Sequence, residues 1–138
     1  MKRHLVLLGL VTAVGLIGGV RAEAGDPCGL LTQAEATAAL GAPVKVGESA
    51  ISGCQWGQIG GEGFVQVQVA GVRYYQRPPK AAKMLPGIGL EAYAYTDLGS
   101  PHAMAKTQKS VIVVWVSGDK ASSEKVVDLL RAVVGRVE

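Results

Sequence analysis

Few side chains in this 138-residue chain are able to do chemistry, and their placement narrows what that chemistry can be. A Ser-His-Asp set or a metal site would have to be built on His102, because the only other histidine, His4, lies in an N-terminal segment that reads as removable. His102 stands between Pro101 and Ala103 in a stretch expected to turn, with no nucleophile-elbow motif beside it. It reads as a surface histidine, and one histidine makes no two-His metal site. Glu62, Glu91 and Asp97 are the candidate carboxylates of a small hydrolase, yet their spacing does not put any two in one site, as glycoside hydrolysis requires. They read as solvated acids of loops and strand ends. Two glycine-rich stretches, Gly57 to Gly63 and Gly87 to Ala92, resemble phosphate-binding loops. Such loops run from a strand into a helix N-terminus, whereas a strand follows both of these. Hairpin turns are the expectation, with no metal and no cofactor.

The densest polar stretch is Arg73-Tyr74-Tyr75-Gln76-Arg77-Pro78-Pro79-Lys80-Ala81-Ala82-Lys83. Arg and Tyr are favoured anchors at interfaces, so Arg73, Tyr74, Tyr75, Arg77, Lys80 and Lys83 are the expected partner-binding residues. The competing reading is a solvated loop whose charges keep a strand edge from aggregating. If the segment is extended, Tyr74 and Tyr75 point to opposite faces.

What positions these residues starts with compartment. Lys2, Arg3 and His4 form a basic start, Leu5 to Val20 an apolar run and Ala22-Glu23-Ala24 a small-x-small cleavage site, the parts of a secretory signal. The run is shorter than the roughly 20 apolar residues of a membrane span and carries four glycines, so export rather than anchoring is expected, with no stable span after cleavage. Cleavage after Ala24 removes Lys2, Arg3, Arg21 and Glu23 and leaves a net charge of +1. The basic character of the whole chain, pI about 9.0, therefore belongs partly to the leader, and nucleic-acid binding is not expected. An exported chain meets an oxidising compartment, where Cys28 and Cys54, the only cysteines, are expected to form a structural disulfide. Gly25-Asp26-Pro27 before Cys28 is no lipobox, and the two cysteines do not share the short motif of a redox pair.

Residues 25 to 138 read as one domain. Thr32-Gln33-Ala34-Glu35 is a capping box opening a helix over 32–40, closed by Gly41 and Pro43. Strands are expected over Val44 to Glu48, Ser52 to Ile59, and Phe64 to Val69, whose alternation turns Val65, Val67 and Val69 inward and Gln66 and Gln68 outward. Further strands are expected over Leu90 to Tyr95 and Ala103 to Lys106. Val111 to Val116 is apolar without alternation, which predicts a central strand covered on both sides. An amphipathic helix follows from near Asp119 or Ser122. The class is α+β, a mostly antiparallel sheet with an N-terminal and a C-terminal helix packed on it.

The order Asp26-Pro27-Cys28-x-Leu30-Leu31-Thr32-x-x-Glu35, then Cys54-x-Trp56, then Gly87-x-Gly89-x-Glu91-Ala92-Tyr93 and a valine-rich strand, resembles the small extracytoplasmic DPC-type proteins of unknown function, many of them lipoproteins. The resemblance implies a PsbP-like α/β/α sandwich and brings no activity with it. The functional expectation is a non-catalytic periplasmic or secreted module binding an envelope protein or an anionic polymer. A small carboxylate-dependent hydrolase and an inhibitor of an envelope or secreted enzyme are the alternatives. N-terminal sequencing of the exported protein is expected to begin at Gly25, or at Glu23 if cleavage follows Ala22; a mature chain beginning at Met1 overturns the signal.

Overall fold

Thr32 opens the first helix because its hydroxyl accepts the N–H of Glu35 while the Glu35 carboxylate accepts that of Thr32, satisfying two groups that a helix start leaves unpaired. This helix, α1 (Gln33–Leu40), stops at Gly41, whose φ of +72° suits a residue without a Cβ. The computed structural model describes residues 26–138, and the expected signal, residues 1–24, lies outside the described residues. After α1 come β1 (Glu48–Ala50), β2 (Gly53–Gly57), β3 (Phe64–Gly71), β4 (Lys83–Met84), β5 (Glu91–Asp97), β6 (Ser100–Lys106) and β7 (Ser110–Ser117). Helix α2 (Ser123–Val137), capped by Ser122, closes the order. The α+β class is as expected.

The strands form one antiparallel sheet in the order β1-β2-β3-β7-β6-β5-β4. It consists of two meanders, β1 to β3 and β4 to β7, joined where β3 pairs with β7 from Phe64↔Ser117 to Gly71↔Ser110. Two strand boundaries differ from expectation. Val44 makes only a bridge to Gln58, and regular pairing begins at Glu48. Between them Gly47 passes so close to the disulfide and indole that a Cβ there would lie 2.7 Å from Trp56 Nε1. His102 lies inside β6 rather than in a turn. The two-residue connection Leu98-Gly99, with φ of +49° and +77°, sets Asp97 opposite Ser100 and starts the strand early. Pro101 is tolerated because it stands just before the β6–β7 ladder, which begins at His102.

Both helices lie on the same face. Val126, Leu130 and Val133 of α2, with Ala36 and Leu40 of α1, bury against Val65, Val67, Ala103, Ala105, Ile112, Val114 and Val116. The described residues therefore make two layers, not the three of an α/β/α sandwich. The expectation that Val111 to Val116 is covered on both sides is corrected as well. The strand is central, but Val113 and Trp115 face away from the helices and are only partly buried. A run of β-branched residues reads the same whether one face is covered or two.

Cys28 and Cys54 are bonded, with Cα atoms 5.0 Å apart. The bond ties to β2 the 3₁₀ turn at Pro27–Gly29 that precedes α1, rather than α1 itself. Closing this loop is worth about 3.5 kcal/mol in the chain-entropy account. A second tie joins the helix ends: Arg136 Nη1 donates to Leu30 O at 2.7 Å and to Glu35 Oε2 at 2.8 Å, and Nη2 grips the other carboxylate oxygen.

The Arg136 fork, helped by the Thr32 backbone N–H, lowers the Glu35 carboxyl from 4.5 to about 2. A depressed carboxyl stabilises the fold above its unfolded value and loses that contribution as pH falls through the folded one. The pair is partly exposed, so the contribution is about 1 kcal/mol. Gln keeps the capping geometry without the charge. Glu35→Gln is thus expected to lower stability by about 1 kcal/mol at neutral pH, with the deficit vanishing between pH 4.5 and about 2; urea midpoints across that range measure it, and a deficit independent of pH contradicts it.

Candidate functional site

With the helices on one side, every second residue of the strands faces outward on the other. The register sets Gln55, Gln66, Trp115, His102 and Tyr95 side by side across β2, β3, β7, β6 and β5. The His102 ring lies 5.4 Å from that of Trp115 at 14° between planes and 5.0 Å from that of Tyr95 at 27°. Rings lying side by side in one plane cannot approach so closely, so these three stand off the sheet and face one another. Phe64 meets Trp115 edge-on at 6.4 Å, Tyr93 tilts against Tyr95 at 5.6 Å, and Tyr75 meets Tyr93 edge-on at 6.3 Å. Aromatic contact thus runs unbroken across the face, each pair worth about 0.5–1.5 kcal/mol.

Polar atoms in the row are held in defined states. Ser100 O can only accept, so the 2.9 Å contact places a proton on His102 Nδ1 and leaves Nε2 facing away from that bond. The Tyr93 hydroxyl donates to Gln76 O at 2.9 Å, pinning the 75–82 stretch to the sheet. Burial pushes the phenols of Tyr75, Tyr93 and Tyr95 upward. The Glu91 carboxylate adds to this at Tyr75 and Tyr93, and the Asp97 carboxylate at Tyr95, so all three remain O–H donors at neutral pH.

Above this row the surface is concave. A depression of about 730 Å³ has Trp115, His102, Met104 and Val113 in its floor, with Tyr74 and Gln76 on one rim and Ile51 and Ser52 of the β1–β2 turn on the other. Among the described residues no Asp, Glu, Lys or Arg lines it.

Of the site residues named from the sequence, Tyr74 and His102 line this depression and the others do not. Tyr74 is 58% exposed at the rim, with the Arg73 guanidinium 4.9 Å from its ring centroid and Arg73 Nη2 donating to its hydroxyl at 3.1 Å. Tyr75 turns inward against Tyr93, its hydroxyl buried, and Lys106 Nζ lies 5.4 Å from its ring. Arg77 and Lys80 are exposed in the stretch that follows. Lys83 is in β4 opposite Ala94, a register position of the helix-covered face. Cys28 and Cys54 lie on that covered face as well.

Glu91 and Asp97 stand at opposite ends of β5, roughly 20 Å apart at strand rise. Glu62, in the turn after β2, is separated from Asp97 by three strand spacings, roughly 14 Å. Carboxylates that flank a glycosidic bond are about 5–10 Å apart. Among the described residues no group of three or more His, Cys, Asp or Glu is placed to hold a metal ion, and no helix is long and apolar enough to cross a membrane.

No protein-family model, curated protein or solved structure matches the chain.

Trp115, His102, Tyr95 and Gln66 were not singled out by sequence reasoning as a site. The available signal was the Leu98-Gly99 connection: a two-residue hairpin turn fixes Tyr95 opposite His102, and alternating Ala103 and Ala105 mark the other face as tightly packed.

Trp56 is 2% exposed in the core on the helix-covered face, whereas Trp115 is only partly buried. Iodide is therefore expected to quench Trp56→Phe protein, where Trp115 alone emits, far more than Trp115→Phe protein. Trp56→Ala is expected to cost about 3–5 kcal/mol and Trp115→Ala about 1 kcal/mol in urea unfolding; equal costs would mean the outer face is as closed as the inner one.

Proposed function

We propose that this protein is a non-catalytic binding module of an extracytoplasmic compartment, periplasmic or secreted, and that it takes an envelope component onto the uncovered face of its sheet. One observation carries the reading: the stacked row Trp115-His102-Tyr95 sits partly exposed in the floor of a depression instead of beneath a helix. Partly exposed aromatic area at a concave surface is what binding sites use, because such rings offer large contact area at small entropic cost. The Cys28–Cys54 bond is compatible with an oxidising compartment, and the resemblance to DPC-type proteins points the same way. The wide separation of Glu62, Glu91 and Asp97 gives the hydrolase alternative no support.

Inhibition of an envelope or secreted enzyme is the second reading, and Leu98 favours it. Its side chain is 98% exposed at a hairpin tip and its φ is +49°, a conformation that costs a non-glycine residue energy.

Affinity capture from envelope extract separates the two. The expected result is that the mature protein retains a component that Trp115→Ala loses and Leu98→Gly keeps. Replacing Arg73, Arg77, Lys80 and Lys83 by Ser is expected to leave capture unchanged at low and high salt, because none of the four lines the depression. Loss in Leu98→Gly alone would replace the binding-face reading with the inhibitor, and full capture by Trp115→Ala would remove the face as the site.

A further inference from the structure

We propose that the ligand of this face is an uncharged glycan segment, seated in the depression against Tyr74 and bonded through its hydroxyls to Gln68, Gln76 and His102 Nε2. This inference deepens the binding-face reading and rests on it.

Charge is the first argument. Among the described residues no Asp, Glu, Lys or Arg lines the depression. An anionic polymer entering it would lose hydration without gaining a partner there, which is costly. The cations of the 73–83 stretch stand outside the lining: the Arg73 guanidinium is turned onto the Tyr74 ring, and Lys83 occupies a position of the opposite face.

The second argument is hydrogen-bonding type. Amides and phenols both donate and accept, and so do sugar hydroxyls. Gln68 and Gln76 bring amides to the wall and rim, Tyr95 brings a protonated hydroxyl, and His102 brings Nε2, its Nδ1 being engaged by Ser100 O. A lipid chain would leave these groups unpaired as it buried them, and an extended peptide is recognised by the backbone of a sheet edge rather than by a sheet face.

The third argument is shape and preorganisation. The depression is walled on two sides, by Tyr74 and by Ile51, so a second copy presenting the same concave face cannot fill it. Tyr74 is held from one side by Arg73 through its ring and its hydroxyl, which fixes the ring at the rim while it remains 58% exposed. The C–H face of a pyranose carries partial positive charge and packs on the negative face of such a ring.

The test is an array of neutral and anionic oligosaccharides probed with the labelled mature protein, followed by titration of the retained glycans monitored by Trp115 emission in Trp56→Phe protein. Neutral glycans are expected to bind, to shift the emission, and to bind equally at low and high salt. Tyr74→Ala and Gln68→Ala, both at partly or fully exposed positions, are each expected to weaken binding about tenfold while the protein stays folded by circular dichroism. Retention of anionic glycans only, with affinity falling in salt, overturns the neutral ligand. No glycan retained overturns the inference as well. Envelope capture that is lost in Trp115→Ala would in that case still uphold the binding face, so failure of the ligand class and failure of the site remain distinguishable.

Discussion

Burial of one face of the sheet beneath α1 and α2, and of that face alone, governs how the remaining residues are distributed. Helix α2 approaches the sheet through Val126, Leu130 and Val133, and the strands beneath it answer with Ala92, Ala103 and Ala105. Small residues allow the helix to sit close, and close packing at interior density leaves no room for rings between α2 and strands β5 and β6. Along β5 and β6 the large side chains therefore all go to the other face: Tyr93 and Tyr95 from one strand, His102 and Met104 from the next. The aromatic row is the counterpart of the alanine row, one residue out of phase with it.

A sheet face left without a helix still has to shield its backbone, and here the rings do so by leaning on one another. Stacking of Trp115, His102 and Tyr95, with Phe64 and Tyr93 at the flanks, removes ring surface from water without a second layer. The arrangement fixes the rings in place and leaves part of each exposed. Rigidity and accessibility, which a binding surface needs together, come from the same contacts.

Much of the frame was legible in the residues. Thr32 and Glu35 form the capping box their spacing describes, Gly41 ends the helix in the left-handed conformation, and the alternation of Phe64 to Val69 is that of a strand with one buried face. Two features were not legible, each for a definite reason. Val111 to Val116 has no polar residue to mark its outer face, because Trp115 and Val113 are apolar on a side that no helix of the described residues covers. Pro101 next to His102 imitates a turn, and only the pairing of β6 with both β5 and β7 shows that the proline precedes the second ladder. Pairing of distant strands is tertiary information that local pattern does not contain. Gln66 makes the same point: its place in the alternation is outward, yet it is 8% exposed because its strand neighbours crowd it.

The seam between the two meanders has a kinetic meaning. Strands β1 to β3 and β4 to β7 can each form from near neighbours in the chain, whereas β3 and β7 meet only after the forty or so residues between them have been organised. Gln66 and Trp115, adjacent in the row, come from opposite sides of that seam. The stacked rings of β5, β6 and β7 lie in one half, but the depression also needs Ile51 and Gln68 from the other and is complete only at the closing step. A molecule resting across it would act as a clasp, slowing global opening rather than local fraying, so its presence would register in the most slowly exchanging amides of β3 and β7.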